Sequence, residues 1–136
     1  MDNMNTQKRK VIALEGAINK CTDAEAIDWR KQAMDRLGTK YDFHNPMDFD
    51  CRGREEELRD ELVMFDEAGM ARSHIALVNY PKASTGTDIG IQFMYAMHRH
   101  IVVVCPDEKP SPWLVSRASV IFKTMDDALA YLEERT

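Results

Sequence analysis

Apolar residues fall in short, near-continuous runs, separated by longer stretches in which they recur every three or four positions. Lys10-Val11-Ile12-Ala13-Leu14 is the first run. It predicts a buried strand ending at Gly16, where the chain turns sharply. Thr22-Asp23-Ala24-Glu25 then has the form of a capping box, in which a hydroxyl takes one free helix amide and a Glu three residues on reaches back. A helix is predicted over residues 23–37, with Ile27, Met34 and Leu37 on one face and Gly38 as its stop. Tyr41-Asp42-Phe43-His44 predicts a second, weaker strand closed by Asn45-Pro46, and residues 46–54, which lack periodicity, predict a loop. Leu58, Leu62 and Phe65 share one face of a helix predicted over 55–72. Glu55, Glu56 and Glu57 stand at its start, where the helix dipole favours negative charge.

The second half repeats the alternation. Ile75-Ala76-Leu77-Val78 is a buried strand, residues 81–86 are a loop, and a helix is predicted over 87–98. His100-Ile101-Val102-Val103-Val104-Cys105 is the strongest strand in the chain, and Pro106, Pro110 and Pro112 mark the loop after it. Val120-Ile121-Phe122 is a last short strand, and Thr124 caps a final helix carrying Ala128, Leu129 and Leu132. The predicted order is βαβαβαββα. Strands that are apolar throughout imply a sheet covered on both faces, and helical crossovers imply that its strands run parallel. The expectation is an α/β chain: a three-layer flavodoxin-like or Rossmann-like domain with a mainly parallel five-stranded sheet. It spans residues 1–136 as one domain, with 1–9 as a flexible N-terminus.

Composition narrows the function classes. A chain of 136 residues has room for one ordinary core. Its formal charge of −5 and lack of a polybasic tract argue against a grip on nucleic-acid backbone. No apolar stretch is long enough to span a bilayer, and the polar first residues lack a signal-peptide core. Cys21, Cys51 and Cys105 are widely spaced, and His44, His74, His98 and His100 form no ligand pair on one helix face. A cytoplasmic protein with reduced thiols, no metal and no cofactor is expected.

In parallel sheets of this type, ligands bind beyond the carboxyl ends of the strands, where the strand order switches. Four loops meet there: Glu15-Gly16-Ala17, residues 44–54, residues 79–88, and the loop from Pro106 that includes Ser111. The third loop holds Asn79, Ser84, Thr85, Gly86, Thr87 and Asp88, and it leads into a helix amino terminus. Its amides and hydroxyls suit an anion or a sugar, although Ser84, Thr85 and Asp88 would serve equally as helix caps. It is neither a Walker loop nor a dinucleotide fingerprint. Arg52 and Arg54 flank Gly53, as a phosphate or carboxylate clamp or as solvated side chains beside the acidic cluster. Asp66 lies one residue past the apolar face of its helix, within reach of the crevice. Glu15 follows a buried strand directly, so its carboxylate needs a partner or a ligand.

Over residues 11–132 the sequence resembles the nucleoside 2-deoxyribosyltransferase family, in the short form found in phages and bacteria. The residues that carry the resemblance are the opening strand and Gly turn, Asn45-Pro46-Met47 through Arg52-Gly53-Arg54-Glu55, and Asp66 near the end of the second helix. Ser73 to Asn79, Ser84-Thr85-Gly86-Thr87 and Ser111-Pro112-Trp113 complete it. The resemblance implies cleavage or transfer of the N-glycosidic bond of a 2′-deoxynucleoside or its 5′-monophosphate, by a retaining mechanism with a Glu nucleophile. It also implies a homo-oligomer, with Ser111-Pro112-Trp113 near a neighbouring subunit.

The nucleophile position falls on Gly90 without gaps, or on Gln92 with a two-residue insertion. The family's orienting Tyr is Ala13, and two of its Asp positions are Gly69 and His74. Asp66 and Asp88 are the candidate catalytic acids, and Glu15 is a further stand-in for the missing carboxylate. Glu15, Gly16, Arg52, Arg54, Asn79, Ser84, Gly86, Thr87 and Ser111 are the candidate substrate contacts. Two functions stay open: an N-glycosidic enzyme with a rearranged acid group, or a nucleoside- or nucleotide-binding protein that leaves the bond intact.

Overall fold

A computed structural model describes residues 8–135. Of the N-terminal stretch expected to be flexible, residues 1–7 lie outside the described residues, while Arg9 pairs with Asp42 at 3.6 Å. The elements are β1 (Val11–Gly16), α1 (Trp29–Leu37), β2 (Asp42–His44), α2 (Arg59–Ala71), β3 (Ile75–Asn79), α3 (Thr85–Ala96), β4 (His100–Val104), α4 (Pro112–Arg117), β5 (Val120–Phe122) and α5 (Met125–Glu134). All neighbouring strands pair in parallel, in the order β2-β1-β3-β4-β5. This is the expected α/β architecture, and its strand order is the flavodoxin-like one.

Strand alternation divides the core in two. Ile12, Leu14, Leu77 and Val102 point to one face, where Trp29, Ala33 and Leu37 of α1 and Ala128, Leu129 and Leu132 of α5 cover them. Ala13, Ala76, Val78, Ile101 and Val103 point to the other, beneath Met70 of α2, Ile91 and Met94 of α3 and Leu114 of α4. Glu15, two residues beyond Ala13, therefore shares the α2–α3 face. Ala13 also pairs with His44 across β1 and β2.

Several details differ from the sequence reading, among them a 3₁₀ turn over Pro46–Phe49 inside the stretch predicted as loop and a helix α3 that begins at Thr85 rather than 87. Residues 112–117 form a helix rather than loop: Ser111 accepts from the Trp113 amide at 3.2 Å, and Pro112 occupies the first turn, where its missing N–H costs nothing. The capping box forms, with Thr22 N to Glu25 Oε1 at 2.9 Å and Glu25 N to Thr22 Oγ1 at 3.1 Å. A wider π-helical turn over Ala24–Asp28 then precedes α1, and the buried stripe runs through Ala26, Trp29, Arg30, Ala33 and Leu37, leaving Ile27 exposed. The second helix begins at Arg59 instead of 55, because the residues before it bond locally: Glu55 accepts from Gly53 N at 2.9 Å and Arg54 pairs with Glu57 at 3.0 Å.

Arg30 ties α1 to the carboxyl end of β1. Its guanidinium donates to the carbonyls of Leu14 (3.1 Å), Ala26 (2.6 Å) and Gly16 (2.9 Å), and it lies 4.5 Å over the Trp29 ring. Burial lowers its pKa to about 10, against the pull of Glu15 and Asp66. Charged hydrogen bonds contribute roughly 1.5–3 kcal/mol each when their loss strands a buried partner. Arg30→Leu should therefore lower the unfolding free energy by at least about 3 kcal/mol, read as a reduced midpoint in urea with an unchanged slope.

Candidate functional site

The strand order reverses at β1, whose neighbours are β2 and β3. A cavity of ≈ 240 Å³ opens at the carboxyl ends of these strands. Its walls are largely apolar, from Ile18, Pro46, Phe49, Leu62, Met70 and Ile89. Glu15 and Gly16 stand at the end of β1, Arg52 in the loop after β2, Asp66 on α2, and Ser84, Gly86, Thr87 and Gly90 at the start of α3. The structure thus brings seven of the sequence candidates to one cavity: Glu15, Gly16, Arg52, Asp66, Ser84, Gly86 and Thr87.

The other candidates do not line it. Arg54 is exposed and paired with Glu57. Asn79 ends β3, in register with Gly16 and Val104. Asp88 is exposed and accepts from the Tyr80 hydroxyl at 2.6 Å; burial, with help from Asp88, pushes the Tyr80 phenol up to about 12. Ser111 caps α4. Gly90 faces the cavity, whereas Gln92 is exposed and accepts from Arg117 Nε at 2.8 Å.

Two glycines admit the groups at the centre of the site. A Cβ at Gly90 would stand 3.0 Å from Glu15 Oε1 and 3.4 Å from Met70 Sδ. The Glu15 carboxyl group thus fills the space that a side chain at position 90 would enter from α3. A Cβ at Gly69 would lie 2.1 Å from the His44 ring, so His44 occupies the corresponding space beside α2. Carboxylate and imidazole reach the α2–α3 crevice from the strands beneath it.

Glu15 is 4 % exposed, and its Oε2 has no hydrogen-bond partner. Burial pushes its pKa up to about 8; Asp66 adds to the rise and Arg30 opposes it. His44 is 1 % exposed, and its Nε2 lies 3.0 Å from Asp66 Oδ1 while Nδ1 has no partner. With Asp66 as its acceptor, Nε2 carries a proton and donates it to the carboxylate. One ligating atom each from Glu15, His44 and Asp66 lie within 4.8 Å of one another. The arrangement is one buried carboxyl that retains its proton beside a second carboxyl held by a histidine, and environments that separate two acids in this way set up acid–base roles.

Sequence reading missed His44, which holds Asp66, and Arg30, which ties α1 to the end of β1 behind the site. The available signal for His44 was a glycine inside a helix three residues after Asp66, since such a glycine marks a close approach. Arg52 lines the cavity but is held by Asp50 at 2.7 Å and Asp23 at 2.8 Å.

Two solved structures share this fold. A CMP N-glycosidase, BcmB, of Clostridium botulinum is 16 % identical, with a TM-score of 0.60 over 91 % of this chain and 99 % of its own. A 2-deoxyribosyltransferase from the psychrotolerant bacterium Bacillus psychrosaccharolyticus is 14 % identical, with a TM-score of 0.70 over 93 % of this chain and 92 % of its own. At these identities the likeness establishes the fold, one used by proteins that process nucleosides and nucleotides. No protein-family profile matches the chain, and no curated protein sequence matches it significantly. Among the described residues no helix is long and apolar enough to cross a membrane.

Two stability measurements test the site. From pH 4.5 to about 8 the folded chain holds the Glu15 proton and the unfolded chain does not. Proton binding by the folded state makes its stability fall as pH rises through that window, with this contribution greatest below it. The melting temperature should decline across the window, and Glu15→Gln should flatten the decline. Gly69→Ala gains up to about 1 kcal/mol in helix propensity but drives a methyl group into the His44 ring, where overpacking costs about 1–3 kcal/mol or more. A net fall in melting temperature is expected, together with displacement of the His44 ring resonances.

Proposed function

We propose that this protein cleaves or transfers the N-glycosidic bond of a nucleoside or nucleotide, with Glu15 and Asp66 as its acid pair. The observation that carries the reading is the position of the Glu15 carboxyl group. It lies at the switch-point cavity, in the space beside Gly90, close to Asp66. Glu15 retains its proton at neutral pH and donates it to the base nitrogen as the C1′–N bond breaks. An Asp66 oxygen attacks C1′ and forms a glycosyl ester. Water or a second base then attacks C1′, giving its proton to Glu15 and releasing Asp66. One oxygen of each carboxyl lies within 4.8 Å of the other, so the pair is closer to the ~5–5.5 Å spacing of retaining glycosidases than to the wider inverting one. His44 is a positioning residue, fixing Asp66 through Nε2. Thr87, Ser84 and the Gly86 amide face the sugar, with Gly16 at the floor of the cavity.

The test is to incubate the protein with each deoxynucleoside and each monophosphate, with and without an acceptor base, and to resolve free base by chromatography. Glu15→Gln and Asp66→Asn should each lower the rate by roughly 10²–10⁴-fold. With Glu15 as the acid, kcat/KM falls as pH rises through about 8. A rate that rises through the same pH assigns Glu15 the nucleophile's role instead.

A second reading rests on the absence of a carboxylate at both aligned nucleophile positions: Gly90 has no side chain, and Gln92 is engaged with Arg117. It is a nucleoside-binding protein that leaves the bond intact. Its signature is a ligand-induced rise in melting temperature with no free base.

The proposal includes a homo-oligomer, most simply a dimer. Trp113, Ile89, Tyr95 and Val115 are large apolar side chains exposed on α3 and α4, and Trp113 is 75 % exposed. Aromatic residues in such a patch are typical of interface cores. Light scattering should give at least twice the 15.6 kDa chain mass, and Trp113→Ser should shift it toward the monomer.

A further inference from the structure

We infer that the cavity takes nucleosides bearing a free 5′-hydroxyl and discriminates against their 5′-phosphates, an inference that rests on the N-glycosidic reading above. The charges around the cavity carry it. Four carboxyl side chains line it, from Glu15, Glu55, Asp66 and Glu67. Among the described residues the single cationic side chain in its wall is Arg52, and that guanidinium is already neutralised. Its Nε lies 3.0 and 3.1 Å from the two oxygens of Asp50, its Nη2 reaches Asp50 at 2.7 Å and Asp23 at 2.8 Å, and its Nη1 donates to the Cys21 carbonyl at 3.2 Å.

The nearby alternatives are also committed. Arg30 spends its donors on three backbone carbonyls, and Arg54 turns to Glu57 outside the cavity. A phosphate dianion brought here would meet three further carboxylates with Glu15 neutral, and no cation free to receive it. The forked donors that usually bind phosphate are absent from the wall in usable form.

The polar groups that remain free suit a neutral hydroxyl. Thr87 is 3 % exposed, yet its Oγ1 has no partner. Ser84, at the cap position of α3, makes no capping hydrogen bond, so its hydroxyl is also unspent. A Cβ at Gly86 would meet nothing within 4 Å, which leaves room for a sugar edge against the backbone. The amino terminus of α3 attracts negative charge, but Asp88 in its first turn already supplies some. The cavity, at ≈ 240 Å³, also falls below the ~300–1,000 Å³ of pockets for drug-sized ligands.

The test compares the dissociation constants of each 2′-deoxynucleoside and its 5′-monophosphate, by calorimetry with the intact protein at low and moderate salt. At least one deoxynucleoside should bind about tenfold or more tightly than its monophosphate, with a gap that narrows as salt screens the carboxylates. The double variant Glu55→Gln with Glu67→Gln should narrow that gap several-fold by strengthening monophosphate binding more than nucleoside binding. Equal or tighter binding of the monophosphates overturns the inference and leaves the N-glycosidic reading standing. A gap that neither salt nor the double variant alters overturns its electrostatic basis. If nucleosides and monophosphates are neither bound nor cleaved, the N-glycosidic reading fails and the inference falls with it.

Discussion

A carboxyl group buried without a cationic contact governs the organisation of this molecule. Glu15 projects from the end of β1, an inner strand, into the space between α2 and α3, and among the described residues no guanidinium or ammonium group meets it directly. The nearest compensation, Arg30, lies on the other side of β1 and spends its donors on backbone carbonyls. Burial of an ionised carboxylate under these conditions is costly, and keeping the proton is the cheaper state. The neighbouring structure follows from accommodating that group. Gly90 leaves space for it, and Gly69 lets His44 approach to hold Asp66 nearby.

Gly69 on α2 and Gly90 on α3 stand where the resemblance places an Asp and, counted without gaps, the Glu nucleophile, while Asp66 on α2 is kept. The polar groups beside those two glycines arise instead from β1 and β2. β1 is an inner strand of the sheet, so Glu15 stands on a well-fixed support, while Asp66 remains on α2. A strand-borne side chain enters the crevice from below, and the Glu15 carboxyl group fills the space beside Gly90.

Much of the fold was legible in the sequence because its signals are local. The apolar runs at residues 11–14, 75–78 and 101–105, the box at Thr22 and Glu25, and the cap at Thr124 each act within a few residues. The switch-point crevice followed from their order. What stayed hidden depends on distant pairings. Pro112 marks a helix start only because Ser111 is free to cap it, and a proline-rich stretch reads equally as loop. Ile27 looked buried on an even helical count, which the π-helical turn shifts. His44 and Gly69 make sense only together, and 25 residues separate them in the chain. Arg52 looked available because its partners Asp23 and Asp50 are not both adjacent in sequence.

Helix α5 has a consequence for synthesis on the ribosome. It supplies Ala128, Leu129 and Leu132 to the same apolar layer as α1, while Tyr41 donates from the start of β2 to the Leu132 carbonyl at 2.7 Å and Lys40 donates to the Glu133 carbonyl at 2.8 Å. The α1 side of the sheet therefore stays half-covered until residues 125–134 have left the exit tunnel. The opposite layer draws on α2, α3 and α4, all encoded earlier, and can consolidate first. The nascent chain thus presents one finished and one unfinished surface. The interval between them is when Ile12, Leu14, Leu77 and Val102 depend on chaperones or on speed to avoid binding one another's counterparts on a neighbouring chain.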